Sequence, residues 1–255
     1  MKRFSLPKGR KVKIAVVALV VVLIVSVAYL AGSHYFSNPQ KGQYFPVAWA
    51  PILEVGDSWT LALTNNETNY NLTITVIDKE TICNVSCYAM KLFFKPESPL
   101  AKIGVSNEIT WWLDTSTLHL MKMTGKVRFE GGDYTFVEEH LYTFQGKPFL
   151  TVGNEYNETD NREMSVYGSF IRWRHDETIT LRRTKVEAFE NVTVPAGTFS
   201  CYKIVTYDET GQSILSIKWF SMEAKTAVRT ENYETGEFKI FETTELLSYS
   251  VQQHT

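Results

Sequence analysis

The residues of this chain that could do chemistry are scattered, with one short exception. Glu138-Glu139-His140 sets two carboxylates beside an imidazole, inside a stretch whose alternation reads as a strand. Residues two apart on a strand share a face, so Glu138 and His140 could offer an oxygen and a nitrogen to a metal or a proton. A solvated strand face is the plainer reading and is the one adopted. His34, His119, His175 and His254 form no His-x-His or His-Glu-x-x-His spacing, so no zinc hydrolase is signalled. Gly168-Ser169-Phe170 lacks the glycine frame of a nucleophile elbow, and no Walker or dinucleotide loop is present. Carboxylate pairs for glycoside hydrolysis need only meet in space, and 28 acidic residues supply many such pairs without specifying one. The expectation is therefore a non-enzyme with no cofactor and no metal.

A second concentration is basic and aromatic: Arg172, Trp173, Arg174 and His175, followed by Arg182-Arg183-Thr184-Lys185. It could receive an anionic glycan or a lipid headgroup. Arginines alternating along an exposed strand and paired with neighbouring glutamates are the simpler expectation.

Three cysteines remain. Cys83 and Cys87 bracket three residues, a spacing that closes a small disulfide loop, and this pair is the favoured one. A Cys87–Cys201 bridge and no bridge at all stand as alternatives. Candidate N-glycosylation sites are Asn66, Asn71, Asn84, Asn157 and Asn191, each followed at the second position by Ser or Thr.

The elements that must carry these residues begin with a membrane segment. Residues 14–31 are apolar apart from Ser26 and Tyr29, and as a helix they would cover about 27 Å, enough to span the hydrocarbon core. Lys2, Arg3, Lys8, Arg10, Lys11 and Lys13 precede the run and no acidic residue does, which keeps the N-terminus cytoplasmic and the rest of the chain outside. An uncleaved anchor is favoured over a signal peptide cut after Ser33, because the run exceeds a usual signal core. Beyond it 20 basic residues face 28 acidic ones, a net charge of about −8 that disfavours nucleic acid.

Residues 1–13 thus read as a cytoplasmic stub, 14–31 as the transmembrane anchor and 32–51, with Pro39, Pro46 and Pro51, as a tether. After it the hydrophobic period is two: Trp59, Leu61 and Leu63, then Leu72, Ile74 and Val76, then Tyr88, Met90, Leu92 and Phe94. These are half-buried antiparallel strands. Turns are expected at 78–80, 114–116, 131–133, 209–211 and 234–236, and 151–163, rich in Asn, Asp and Glu, reads as a loop. Order-preserving matches between the halves suggest a duplication: Val55-Gly56-Asp57 with Val152-Gly153-Asn154, Ser86-Cys87-Tyr88 with Ser200-Cys201-Tyr202, Trp112-Leu113 with Trp219-Phe220, and 130–138 with 234–242. The fold expected is all-β, one or two curved antiparallel sheets made of related units at 52–145 and 149–250, behind one N-terminal transmembrane helix.

The string Val192-Thr193-Val194-Pro195-Ala196-Gly197-Thr198-Phe199, followed by strands at Trp219-Phe220 and Val228-Arg229, resembles exported bacterial and archaeal β-proteins of unknown function. That resemblance implies the curved half-barrel of periplasmic lipoprotein carriers, without implying lipoprotein transfer. In physical terms the string is a turn, in which Pro195 fixes φ and Gly197 permits a positive one.

The function expected is a membrane-anchored, extracytoplasmic, non-catalytic binding module for an apolar or glycan ligand. Its partners would be the membrane through residues 14–31 and a lipid, a glycan or a cell-surface protein. An apolar groove is expected for such a ligand, and a filled sheet face would count against it. A structural subunit of a surface assembly and an exported hydrolase are the rival readings.

Overall fold

A computed structural model describes residues 50–252, except 66–67, 97, 103, 107–108, 130–131, 146–149, 169–171 and 235–238; over 172–181 it describes the backbone alone. Twelve strands follow in chain order: β1 (Ser58–Asn65), β2 (Asn69–Ile82), β3 (Val85–Phe94), β4 (Ile109–Asp114), β5 (Leu120–Phe129), β6 (Gly132–Gln145), β7 (Glu155–Tyr167), β8 (Arg172–Val194), β9 (Gly197–Tyr207), β10 (Ile214–Ser221), β11 (Thr226–Tyr233) and β12 (Ile240–Ser250). One helical turn, α1 (Pro99–Lys102), lies between β3 and β4. Each strand pairs antiparallel with its neighbours in sequence, and β12 returns to β1.

The expected curved sheet is therefore corrected to a closed barrel, which removes the two free edges that an open sheet leaves to aggregation. The expected anchor at 14–31, and most of the tether, lie outside the described residues. No described helix is long and apolar enough to cross a membrane.

Alternation sets the inward face. In β1, Trp59, Leu61 and Leu63 point into the barrel between half-exposed partners, as β-propensity and one-sided burial require. The β2–β3 hairpin turns on Cys83 and Asn84, both at positive φ (49° and 67°), the two-residue geometry whose twist suits a hairpin. This overturns the expected turn at 78–80, which lies inside β2 next to a bulge after Val76. Residues 151–163, expected as a loop, are mostly strand β7.

The two halves carry the same local geometry at equivalent places. Gly56 N–H donates to Val76 O and Gly153 N–H to Val186 O, both at 2.8 Å, and both glycines have positive φ. Val76 and Val186 each precede a bulge. Cys87 lies opposite Glu80 and Cys201 opposite Glu190. Those two glutamates accept the indole N–H of Trp112 (3.1 Å) and Trp219 (2.6 Å) respectively.

Asp57 adds a tie at one end of the β1–β12 seam that closes the barrel. Its buried carboxylate accepts from Glu54 N (3.0 Å), Gln252 N (2.7 Å) and Lys225 Nζ (3.1 Å), tying the entry to β1 to the end of β12 and to the β10–β11 turn. Asp57→Ala leaves two amides without their acceptor and the Lys225 ammonium on Gln252 O (2.6 Å) without its counter-charge, at an expected cost of about 3 kcal/mol. Urea unfolding followed by far-UV circular dichroism checks this as a lower midpoint; an unchanged midpoint would show that the ends are held by other contacts.

Candidate functional site

The register aligns inner positions of the first half with inner positions of the second, and their chemistry differs. Trp59 faces Ile74 and Leu61 faces Leu72; at the equivalent places Tyr156 faces Thr184 and Glu158 faces Arg182. Leu92 and Ile109 become Thr206 and Ser216, and Trp111 becomes Lys218. Gly125 with Phe136 becomes Asn232 with Glu242.

The first set is closed: Leu61, Leu72, Ile74, Leu92, Ile109 and Trp111 are at most 4% exposed. No apolar groove opens among them, and the equal burial of the second set shows none there either. The second set is as deeply buried yet polar, and Tyr156, Thr184, Thr206, Ser216, Asn232 and Glu242 form a register-matched belt across six strands. Burying polar groups costs free energy that apolar side chains at the same places avoid. Within the belt Thr184 and Thr206 share a hydroxyl hydrogen bond (3.3 Å) and Asn232 donates to Glu242 (3.2 Å), which offsets part of that cost.

A denser charged group adjoins the belt on β6, β7 and β8. Glu138, His140 and Tyr142 alternate along the inner face of β6, while Glu158, Asp160 and Arg162 do so on β7. The expected solvated face is thus corrected, since Glu138 and His140 are buried. The His140 ring lies between two carboxylates: Nδ1 is 3.1 Å from both oxygens of Asp160, and Nε2 is 3.3 Å from Glu138 Oε1. Arg162 stands 3.4 Å from that same oxygen, and the Tyr142 hydroxyl is 3.3 Å from Nδ1. Both Glu138 oxygens and His140 Nε2 are sealed from solvent without a well-aligned hydrogen bond, so their pairing is electrostatic. Aromatic rings flank the group: His119 meets Tyr142 edge-on at 4.5 Å, and Phe144 packs against Tyr156 at 6.2 Å.

Burial alone would lower the His140 pKa, but the Asp160 and Glu138 carboxylates outweigh it and hold the imidazole at about 9. Held in that state, His140 is a cation near neutral pH and a poor general base. Burial pulls the Lys218 ammonium down to about 7; Glu158 opposes the shift and Arg182 reinforces it. Burial also raises Glu242 to about 7, against the hydrogen bond it accepts from Asn232.

The wall beside the charged group is paired on one side only. The β8–β9 register begins at Arg183 opposite Tyr207, so residues 172–182 of β8 pair through β7 alone among the described residues. Arg182 and Thr184 point inward, Arg182 lying 4.0 Å from Glu158, whereas Arg183 lies on the outside over the Tyr207 ring and pairs with Glu155. The exposed-arginine expectation thus applies to Arg183 and is corrected for Arg182. The side chains of Arg172, Trp173, Arg174 and His175 lie outside the described residues.

Among the described residues no three His, Cys, Asp or Glu converge as metal ligands. The Cys83–Cys87 disulfide is absent, and Cys83, Cys87 and Cys201 are all free thiols. The hairpin geometry explains it: Cys83 is exposed at the turn, while Cys87 is turned into the core with its thiol toward Val85 O. Burial, with Asp114 beside Cys87 and Glu190 beside Cys201, raises both buried thiols to about 12 and leaves them inert. Of the glycosylation candidates, Asn71, Asn84 and Asn191 are exposed, Asn157 is half-buried and Asn66 lies outside the described residues.

The DUF3108-like family matches residues 149–246, the half with the polar interior. A solved structure described as an exported protein with a YmcC-like fold, from Bacteroides fragilis, is 10% identical, with a TM-score of 0.37 over 80% of this chain and 99% of its own. Another, described as a lipoprotein from Parabacteroides distasonis, is 12% identical, with a TM-score of 0.34 over 79% of this chain and 98% of its own. No curated protein matches the chain.

Proposed function

We propose that the chain is a membrane-tethered, extracytoplasmic binding module whose second half takes a polar ligand of the glycan class, without turning it over. The observation that carries this reading is the replacement of inner Leu, Ile and Trp by Glu158, Arg182, Thr184, Thr206, Ser216 and Lys218 at equivalent register positions. Two copies of one six-strand unit would account for that equivalence, the first kept as an apolar core and the second given an equally buried polar interior.

Rings beside carboxylates and arginines suit a sugar: Tyr156 offers a ring for its C–H groups, and Glu138, Asp160 and Arg162 match vicinal hydroxyls. The ligand would enter past the singly paired stretch of β8. His140, held as a cation, supports binding over general-base catalysis.

Calorimetric titration of the exported chain with an oligosaccharide panel tests the proposal. Wild type is expected to bind at least one member without releasing product, and Glu138→Gln to weaken binding about 10- to 100-fold, the worth of a hydrogen bond to a charged group. Binding only to acyl lipids, or sugar cleavage, would overturn it.

A further inference from the structure

We propose that the rim of the barrel at the end where the chain enters is a contact surface for the lipid bilayer. Four aliphatic side chains stand out there: Ile52 (57% exposed), Val55 (55%), Val152 (50%) and Met222 (43%). In an up-and-down barrel the odd-numbered strands all start at one end, so the entries to β1 and β7 and the β10–β11 turn share it. Val55 and Val152 occupy the equivalent glycine turns, six strands apart in a ring of twelve, and so face each other across the mouth. The Met222 turn is tied to Val55's segment through Lys225 Nζ, which reaches Asp57 (3.1 Å) and Gln252 O (2.6 Å), while Gln252 Nε2 lies 3.5 Å from Val55 O.

The rim also carries few ionisable residues. Along 50–57, 150–154, 222–225 and 251–252 these are Glu54, Asp57, Glu223 and Lys225; the buried Asp57–Lys225 pair neutralises itself, and Glu54 and Glu223 leave a net charge of −2. An apolar, weakly charged rim fits the acyl–headgroup boundary of a zwitterionic leaflet, and its contact would be insensitive to salt.

The chain that leads into this end comes from the run at 14–31, and the inference rests on the reading of that run as an anchor. Eighteen residues, 32–49, separate that run from Ala50. Eighteen residues reach at most roughly 60 Å, which keeps the rim within that distance of the bilayer and raises its local concentration there. Weak insertion of a few aliphatic side chains is then enough for lasting contact. Asn84 lies in the β2–β3 turn at this same end, so the sample for the test is the chain as its host exports it, glycans included.

The test uses the full chain in phosphatidylcholine vesicles, in a Cys83→Ser background, with an environment-sensitive fluorophore on Val152→Cys, Met222→Cys or Thr210→Cys. Thr210 is exposed in the β9–β10 turn at the opposite end. Nitroxide-labelled phosphatidylcholine is expected to quench positions 152 and 222 about twofold and to leave 210 unchanged. Adding Ile52→Asp and Val55→Asp is expected to restore the signal at 222. Equal quenching at all three positions, or none, overturns the proposal. Alkaline carbonate washing separates the anchor from the rim: a chain that resists extraction but shows unquenched labels keeps its anchor and contradicts the rim contact.

Discussion

Replacing His140 by alanine is expected to cost about 3–5 kcal/mol of folding free energy, because it leaves the Glu138 and Asp160 carboxylates buried without the cation between them. The pH dependence identifies the cause. Burial acts downward on the imidazole, the two carboxylates override it, and the pKa rises from 6.5 to about 9 in the fold. A basic group raised in this way lends stability that is complete below its unfolded pKa and lost as pH climbs through the folded one, a swing of about 3 kcal/mol. Urea unfolding of wild type and His140→Ala at intervals between about pH 6 and pH 9.5 should show the gap narrowing as pH rises. Taking the difference between the two proteins cancels Lys218 and Glu242, which titrate in neighbouring ranges. A gap that stays constant would mean that His140 is not held as a cation, and the ion-pair description would fail.

The opposite sign is expected at Lys218. Burial depresses its ammonium from 10.5 to about 7, with Glu158 only partly offsetting the loss of water. Below pH 7 the folded protein bears the full penalty, and the penalty is relieved as pH rises toward 10.5. Lys218→Met keeps similar length, leaves Glu158 with Arg182, and is expected to stabilise the fold by about 3 kcal/mol near pH 6. The gain should fade above about pH 10. A stabilising substitution at a deeply buried position marks a residue kept for something other than folding. Destabilisation instead would show that Lys218 is a structural counter-charge, and the strongest polar replacement in the second half would lose its functional meaning.

The legible parts of the fold were those where hydrophobic alternation and burial agree. Trp59, Leu61 and Leu63 announce β1, and Tyr88 to Phe94 announce β3, because one face of each strand is apolar and buried. The same logic conceals β7. Glu158 and Asp160 are its inward residues and Asn157 and Thr159 alternate with them, so both faces are polar and 155–163 carries no period to detect. The strand that reads as a loop is the one that carries half of the charged group. Glu138 and His140 were visible as a pair on one strand face, but the direction of that face depends on closure, which no local pattern encodes.

The matching local geometry of the halves was partly legible. Val-Gly-Asp with Val-Gly-Asn and the Ser-Cys-Tyr pair mark turns and cores that the structure places at matching sites. The best string match, 130–138 with 234–242, is offset by 104, whereas the register pairs Gly125 with Phe136 and Asn232 with Glu242, an offset of 106 between Phe136 and Glu242. Similar residues drew the strings together across a bulge between Asn232 and Tyr233 that shifts the strand. Cys83 and Cys87 misled for a related reason: spacing shows separation along the chain, while the positive-φ turn at Cys83 and Asn84 decides which thiol faces out.

On the proposed function, the second half keeps its polar interior for a ligand and not for stability. The most direct test is native mass spectrometry of the chain as its host exports it, wild type beside Lys218→Met. The expected result is one small polar mass, with the composition of a sugar, on wild type and none on the better-folded variant. The same mass on both proteins, or none on either, would contradict the claim.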